Sequence, residues 1–321
     1  MYSDIIPFLT TFVFMFFSLS AFSMCCGYFH KFNVNLEGKS YYNTEIFYSK
    51  RYCRIWPFFA LLVGLDLIMN PTLTELYQSF ADLTLAFNLL PNPEIKVIGV
   101  GWFLGVVFLF YMIFPWFVYL LQNKTRAWFA FAIALIMHFL VVDYFLTERF
   151  VLPSEISNFR HNIVWSFPFF MIGGILYLYR ENLGNPKKKY LWLTLAITST
   201  ISQFIFYPSI FGDNYMYLLI VFSFWILYAM TGGIQIYSFK LLENRFTKFI
   251  GGISMEIYLC HMVTFRAIEK AHLDDKITNP HLYYWITCIA GIGLAILFSY
   301  FVKYKLFSYL GNKIKVLSFL K

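Results

Sequence analysis

WFLGVVFLFYMIFPWFVYLL, residues 102–121, runs for twenty residues without a charged side chain. As a helix rising 1.5 Å per residue it measures about 30 Å, the thickness of the hydrocarbon core of a bilayer, so it reads as a membrane span. Comparable stretches recur along the chain. Together they give nine predicted spans, at roughly 5–28, 53–70, 100–121, 127–146, 163–179, 190–208, 215–238, 249–268 and 283–302. The segment LYQSFADLTLAFNLL (76–90) is shorter and carries Asp82, so an interfacial or re-entrant helix is expected there.

The composition agrees with this reading. Of 321 residues, 60% are hydrophobic and 13% charged, with 40 Phe, 24 Tyr and 8 Trp. Soluble domains carry about 25% charged and about 45–50% apolar residues, so a water-soluble globule is excluded, and with it disorder and a collagen-like chain. Cys25, Cys26, Cys260 and Cys288 fall inside apolar runs and Cys53 at the edge of one, which makes neither a disulfide framework nor a metal spacing. No metal site is expected. The first 30 residues lack a basic leader and a small-residue cleavage site, and their apolar run is too long for a signal peptide. No soluble domain or repeat interrupts the pattern. The expected fold is a single all-α domain over residues 1–321, a polytopic membrane bundle of about nine transmembrane helices and one short interfacial helix.

The net charge of +8 resides in the short gaps between apolar runs, where it orients spans rather than binding nucleic acid. Nineteen of the 25 Lys and Arg lie in one set of alternate loops, 30–54, 122–126, 180–189, 239–248 and 303–321. The other six are Lys96, Arg149, Arg160, Arg266, Lys270 and Lys276. The first set, with the C-terminus, is therefore predicted to be cytoplasmic, which leaves residue 1 outside and calls for a span upstream of it.

Polar residues within apolar segments are the candidates for chemistry. In FYSKRYCRIWPFF (47–59), Arg51 and Arg54 stand three apart beside Lys50 at the cytoplasmic mouth of the second span. Two guanidiniums on one helix face can grip a phosphate; they also suit ordinary cytoplasmic anchoring. In GGISMEIYLCHM (251–262), Ser254, Tyr258 and His261 fall at i, i+4 and i+7, one stripe expected to face the bundle interior. His261 is a candidate general base, or a packing histidine bonded across helices. Glu256 lies off that stripe, and its expected partner is another polar group or a lysine near the cytoplasmic surface, such as Lys248. Ser18, Ser20, Gly173 and Gly174 read first as small residues allowing close helix approach. His138 and Asp143 are five apart and make a poor metal pair. Asp66, deep in the second span, must be protonated or paired. Trp102 opens a span at the outer interface, where tryptophan is common.

These segments come in a telling order. FFSLSAF (16–22), FYSKRYCRIWPFF, WFLGVVFLFYMIFP (102–115), FPFFMIGGILYLY (167–179) and IGGISMEIYLCHM (250–262) together resemble acyltransferase family 3, bacterial membrane enzymes that move acyl groups, most often acetyl, onto cell-surface glycans. The likeness runs from about residue 12 to about residue 305. It implies that Arg51 and Arg54 occupy the R-x-x-R pair associated with the acyl-CoA donor. Ser20 matches the serine of an S-G-F motif, with Ala21 in place of its glycine. Ser254, Tyr258 and His261 match a late S-x-x-x-Y-x-x-H pattern, and Trp102 opens a W-x-L segment in which Val107 replaces a common glutamate.

The resemblance also implies a catalytic histidine on a span upstream of the S-G-F-like segment, the same span the charge count requires. Three possibilities stay open: a truncated or alternative start, an inactive form, or substitution by an internal histidine, for which His261 is best placed.

The expected activity is O-acyl transfer, chiefly of acetyl from acyl-CoA to a hydroxyl of a cell-surface polysaccharide or its lipid-linked precursor, in the bacterial inner membrane. His261, Ser254 and Tyr258 are the catalytic candidates. Arg51, Arg54 and Lys50 hold the donor, and Ser20 and Trp102 line the substrate pocket. No permanently bound cofactor is expected, and the partners are the bilayer and a glycan. The alternatives are an inactive family member or a flippase or transporter for a glycan precursor, which would show inverted repeats of broken helices.

Overall fold

The structure is a computed structural model that describes residues 11–33, 40–69, 71–85, 99–141, 144, 161–206, 216–232, 235–236, 239–240, 243–269, 277 and 279–309. These residues are almost wholly helical: α1 (Val13–Asn33), α2 (Ser40–Met69), α3 (Leu73–Leu83), α4 (Trp102–Met112), α5 (Phe114–Leu121), α6 (Lys124–Leu140), α7 (Ile163–Leu178), α8 (Lys189–Phe206), α9 (Tyr217–Met230), α10 (Arg245–Gly252), α11 (Ser254–Glu269) and α12 (Pro280–Tyr300). The fold is an all-α membrane bundle. Val13–Phe32, Thr44–Met69 and Pro280–Tyr309 are each long and apolar enough to cross a bilayer, while Ile163–Leu178 and Tyr217–Met230 are shorter apolar helices.

A helix stands at each of the nine predicted spans, with three corrections to their shape. The 100–121 span is two helices bent by 61°. Pro115 has no N–H, so the ladder cannot run through it, and Ile113 takes φ −86° and ψ 2° at the corner. The 215–238 span ends as helix at Met230; Gly232, with φ +95°, turns the chain toward a two-residue antiparallel pairing of Gln235–Ile236 with Phe239–Lys240. The 249–268 span breaks at Ile253 into α10 and α11.

Asparagine starts many of the helices. Its carbonyl oxygen accepts from the otherwise orphaned first-turn N–H groups. Asn123 accepts from Thr125 N at 2.8 Å, Asn162 from Trp165 N at 2.8 Å, Asn244 from Thr247 N at 2.9 Å, and Asn279 from His281 N at 3.0 Å. In the last case Pro280 follows at the first helical position, where no donor is needed.

The described residues gather into two compact units. The first holds α1, the opening turns of α2 through Tyr48, and α4–α9. Its centre is the seam between α1 and α7. A Cβ on Gly173 would lie 2.1 Å from the Ser18 carbonyl oxygen, so only glycine lets the backbones approach this closely. The Ser18 hydroxyl donates to Phe169 O at 2.6 Å across the same seam. Around it pack Phe14, Phe17, Phe110, Phe117, Trp165, Phe169, Phe170 and Phe222, with Phe110 and Phe170 stacked at 4.1 Å.

The second unit holds α2 from Ser49, α3, a 3₁₀ turn at Gly99–Gly101, and α10–α12. Its long contact is α11 along α12, where Gly291 accommodates the Phe265 ring.

Candidate active site

The polar residues of the second unit concentrate on α11. One turn of helix advances 3.6 residues, so Glu256, Cys260 and Thr264 share a face, while Ser254, Tyr258 and His261 lie nearly opposite. The first set meets α12. Cys260 Sγ lies 3.4 Å from Ser299 Oγ, and Thr264 Oγ1 donates to Gly291 O at 3.1 Å and to His261 O at 2.8 Å. Glu256, 4% exposed, accepts from Lys303 Nζ at 2.5 Å. The same ammonium donates to Gly252 O at 2.6 Å, so it caps the C-terminal end of α10 while neutralising the carboxylate. Lys303, not Lys248, is therefore the partner of Glu256.

The stripe singled out from sequence points away from that contact. His261 and Tyr258 are half-buried, but Ser254 is exposed rather than turned inward, its hydroxyl donating to Gly251 O at 3.1 Å. The reason is position: Ser254 opens α11 immediately after the Ile253 break, where the preceding carbonyls seek donors. The useful geometry is at His261. Its Nδ1 is 2.5 Å from Tyr258 O. A carbonyl only accepts, so Nδ1 carries the proton, and in the neutral ring the lone pair belongs to Nε2. The ring also meets Tyr258 at 5.7 Å between centroids.

Arg51, Arg54 and Lys50 lie in the same unit on unbroken α2, with Arg54 three residues before Pro57. Arg51 is half-buried, and Arg54 and Lys50 are exposed. Three-residue spacing on a continuous helix keeps the two guanidiniums within one turn.

The proposed pocket residues Ser20 and Trp102 belong to the first unit. Trp102 is half-buried at the start of α4, near the Phe14 ring at 5.9 Å and the Phe17 ring at 6.3 Å. Ser20 is half-buried on α1, six residues beyond Phe14, about 9 Å further along the axis, and its carbonyl accepts from the Ser23 hydroxyl at 3.2 Å.

Sequence reasoning passed over His161. Its ring stacks face to face on Trp102 at 3.8 Å and 9°, placed there by the Asn162 cap that starts α7. Separation in sequence hid the pair. His138 is fully buried, with Nδ1 2.8 Å from Trp165 O, so this histidine too holds its proton on Nδ1. Asp143, considered with His138, lies outside the described residues.

Most of the chain matches one family model. Described as "Acyltransferase domain", the model for acyltransferase family 3 covers residues 2–300. The chain belongs to acyltransferase family 3. No curated protein and no solved structure matches it. Family membership and the apolar spans make this chain a membrane acyltransferase in broad class. In this member of acyltransferase family 3 the residues that sequence singled out divide between the two units, α2 and α11 in one and Ser20 and Trp102 in the other.

Proposed function

We propose that this chain transfers an acyl group, acetyl in the first instance, from acyl-CoA to a hydroxyl of a cell-surface polysaccharide or its lipid-linked precursor, acting in the bacterial inner membrane with its C-terminus in the cytoplasm. The observation that carries the reading is the match to acyltransferase family 3 across residues 2–300. The hydrogen bond from His261 Nδ1 to Tyr258 O adds a chemical reason to place the base here.

Arg51 and Arg54, with Lys50 alongside, grip the phosphates of the donor through charge-assisted hydrogen bonds. His261 Nε2 takes the proton of the acceptor hydroxyl as its oxygen attacks the thioester carbonyl. The new C–O bond forms, the C–S bond breaks, and the imidazolium returns its proton to the departing thiolate. Tyr258 donates to the carbonyl oxygen as charge develops there, and Ser254 positions the start of α11. Ser20 and Trp102 are the substrate-pocket candidates of the first unit. The donor is a substrate, and no permanently bound cofactor is invoked.

Membranes containing the protein are given radiolabelled acetyl-CoA, and transfer to glycan and donor binding are measured separately. The Arg51→Glu/Arg54→Glu variant is expected to lose donor binding. Normal binding by that variant ends the donor-site assignment, and absence of any labelled glycan in the unaltered protein ends the transferase reading.

A further inference from the structure

Helix α3 is built inside out. Leu73, Leu76, Tyr77 and Phe80 are exposed, with Leu73 at 87%, whereas Ser79 and Asp82 are 3% and 4% exposed. Glu75 and Gln78 are half-buried. Residues 75, 78, 79 and 82 follow i, i+3, i+4 and i+7, so the polar groups make one stripe and the apolar groups another. A helix of eleven residues, about 16 Å long, is too short to cross the bilayer, and its apolar side suits lipid at the interface.

The withdrawn polar side needs partners, and four of its oxygens have none. Glu75 Oε2, Gln78 Oε1, Ser79 Oγ and Asp82 Oδ2 are all buried without a hydrogen bond. Each such orphan costs stability, and four on one stripe is a concentration that packing alone does not explain. Ser79 is the sharpest case. Elsewhere in the helices Ser223, Thr198 and Thr200 turn their hydroxyls back to the carbonyl four residues earlier, at 2.6, 2.8 and 2.7 Å. Ser79 makes no such bond, although its hydroxyl is buried. The stripe is held at both ends: Thr72 Oγ1 accepts from Glu75 N at 3.1 Å, and Trp56 Nε1 of α2 donates to Leu83 O at 3.1 Å.

The chemistry of the stripe selects its ligand. Two carboxyls and an amide oxygen accept hydrogen bonds, and one hydroxyl both accepts and donates. A ligand bearing several neighbouring hydroxyls satisfies all four. Neighbouring sugar hydroxyls both donate and accept, so they match three acceptors that stand beside one hydroxyl. We propose that the inward stripe of α3, Glu75, Gln78, Ser79 and Asp82, binds adjacent hydroxyl groups of the glycan acceptor. This rests on the transferase reading above, for which it names the acceptor subsite. Burial first, and the Glu75 charge second, hold the Asp82 carboxyl up to about 7, so it is largely protonated at about pH 6.

That property supplies a test independent of turnover. Dicyclohexylcarbodiimide modifies protonated carboxyls in apolar surroundings, and the full-length protein in lipid vesicles is treated at about pH 6 and read by peptide mass spectrometry. Modification of Asp82, lost in Asp82→Asn, is expected to fall at least threefold with disaccharides of common hexoses and N-acetylhexosamines, supplied free or linked to a long-chain lipid diphosphate. Protection by both forms assigns recognition to the sugar; protection by the lipid-linked form alone assigns it to the membrane-borne precursor. Protection by calcium or sodium ions alone, or by no saccharide at about 10 mM, overturns the proposal.

Saturation-transfer NMR of the same disaccharides covers the case in which Asp82 does not react. Signal should drop in Gln78→Leu/Ser79→Ala, and an unchanged signal also overturns it. Neither readout uses acyl-CoA, so this subsite can fail while transfer stands, and the reverse.

Discussion

The α1–α7 seam of the first unit and the α11–α12 seam of the second join helices by opposite means. At the first, Gly173 brings backbones into contact, aromatic rings fill the surroundings, and one hydroxyl, Ser18, ties the two helices together. At the second, a partly buried ion pair, a thiol–hydroxyl contact and a threonine hydrogen bond line the interface. In lipid there is no hydrophobic gain from pressing apolar helices together, so close packing and hydrogen bonds are the available adhesives. The first seam specifies shape. The second keeps polar groups at fixed positions one face away from His261.

Substitutions can break this contrast, and the largest effect should come from His261→Gln. Loss of a general base typically lowers kcat about 10²–10⁴-fold, and thermal stability in detergent should stay near that of the parent. A kcat within threefold of the parent removes His261 from the chemistry. Next comes Glu256→Leu, which leaves Lys303 without its carboxylate. Breaking a buried pair costs about 3–5 kcal/mol, and the lower end applies because the Lys303 side chain is 29% exposed. Glu256→Leu/Lys303→Met should recover most of that loss in the unfolding midpoint. No recovery in the double variant means that the two residues are not coupled.

Gly173→Ala should follow, at about 1–3 kcal/mol or more, since the methyl would meet backbone rather than a movable side chain. Ser18→Ala across the same seam should cost only about 1 kcal/mol. Both should lower stability and leave the acyl-CoA KM unchanged; a raised KM at unchanged stability reverses the contrast between seams.

The smallest effect concerns Asp82. Its carboxyl is raised from 3.8 to about 7, so the folded protein holds this proton more tightly than the unfolded chain does. Ionisation therefore penalises the fold: the penalty is absent below about pH 4, grows as pH rises toward 7, and levels off above. Unfolding midpoints of Asp82→Asn should decline less over that window than those of the parent, and parallel curves reject the assignment.

Much of the fold could be read from the apolar runs because span length is dictated by bilayer thickness, and each of the nine runs holds a helix. The breaks at Ile113 and Ile253 were less legible. A charge-free run gives no sign of where its ladder is interrupted, although Pro115 is in plain sight. On α11 the spacing was sufficient to define stripes and insufficient to choose between them. Period 3.6 yields both Ser254–Tyr258–His261 and Glu256–Cys260–Thr264, and only the position of α12 says which one meets a helix. The partner of Glu256 was equally out of reach, because Lys303 is 47 residues away. Glu75, Gln78 and Ser79 were legible by spacing, yet Asp82 alone drew notice, since an amphipathic helix is ordinarily read with its polar side toward water. Trp102 could be named from sequence, but nothing in the chain order foretells that His161 stacks on it.

The corner between α4 and α5 carries a last consequence. Tyr48, from α2, donates its hydroxyl to Met112 O at 2.7 Å. The carbonyl beside the change of direction is thus met by a phenol. An apolar chain can change direction in this way because a side-chain hydroxyl borrowed from another helix takes up a carbonyl beside the corner.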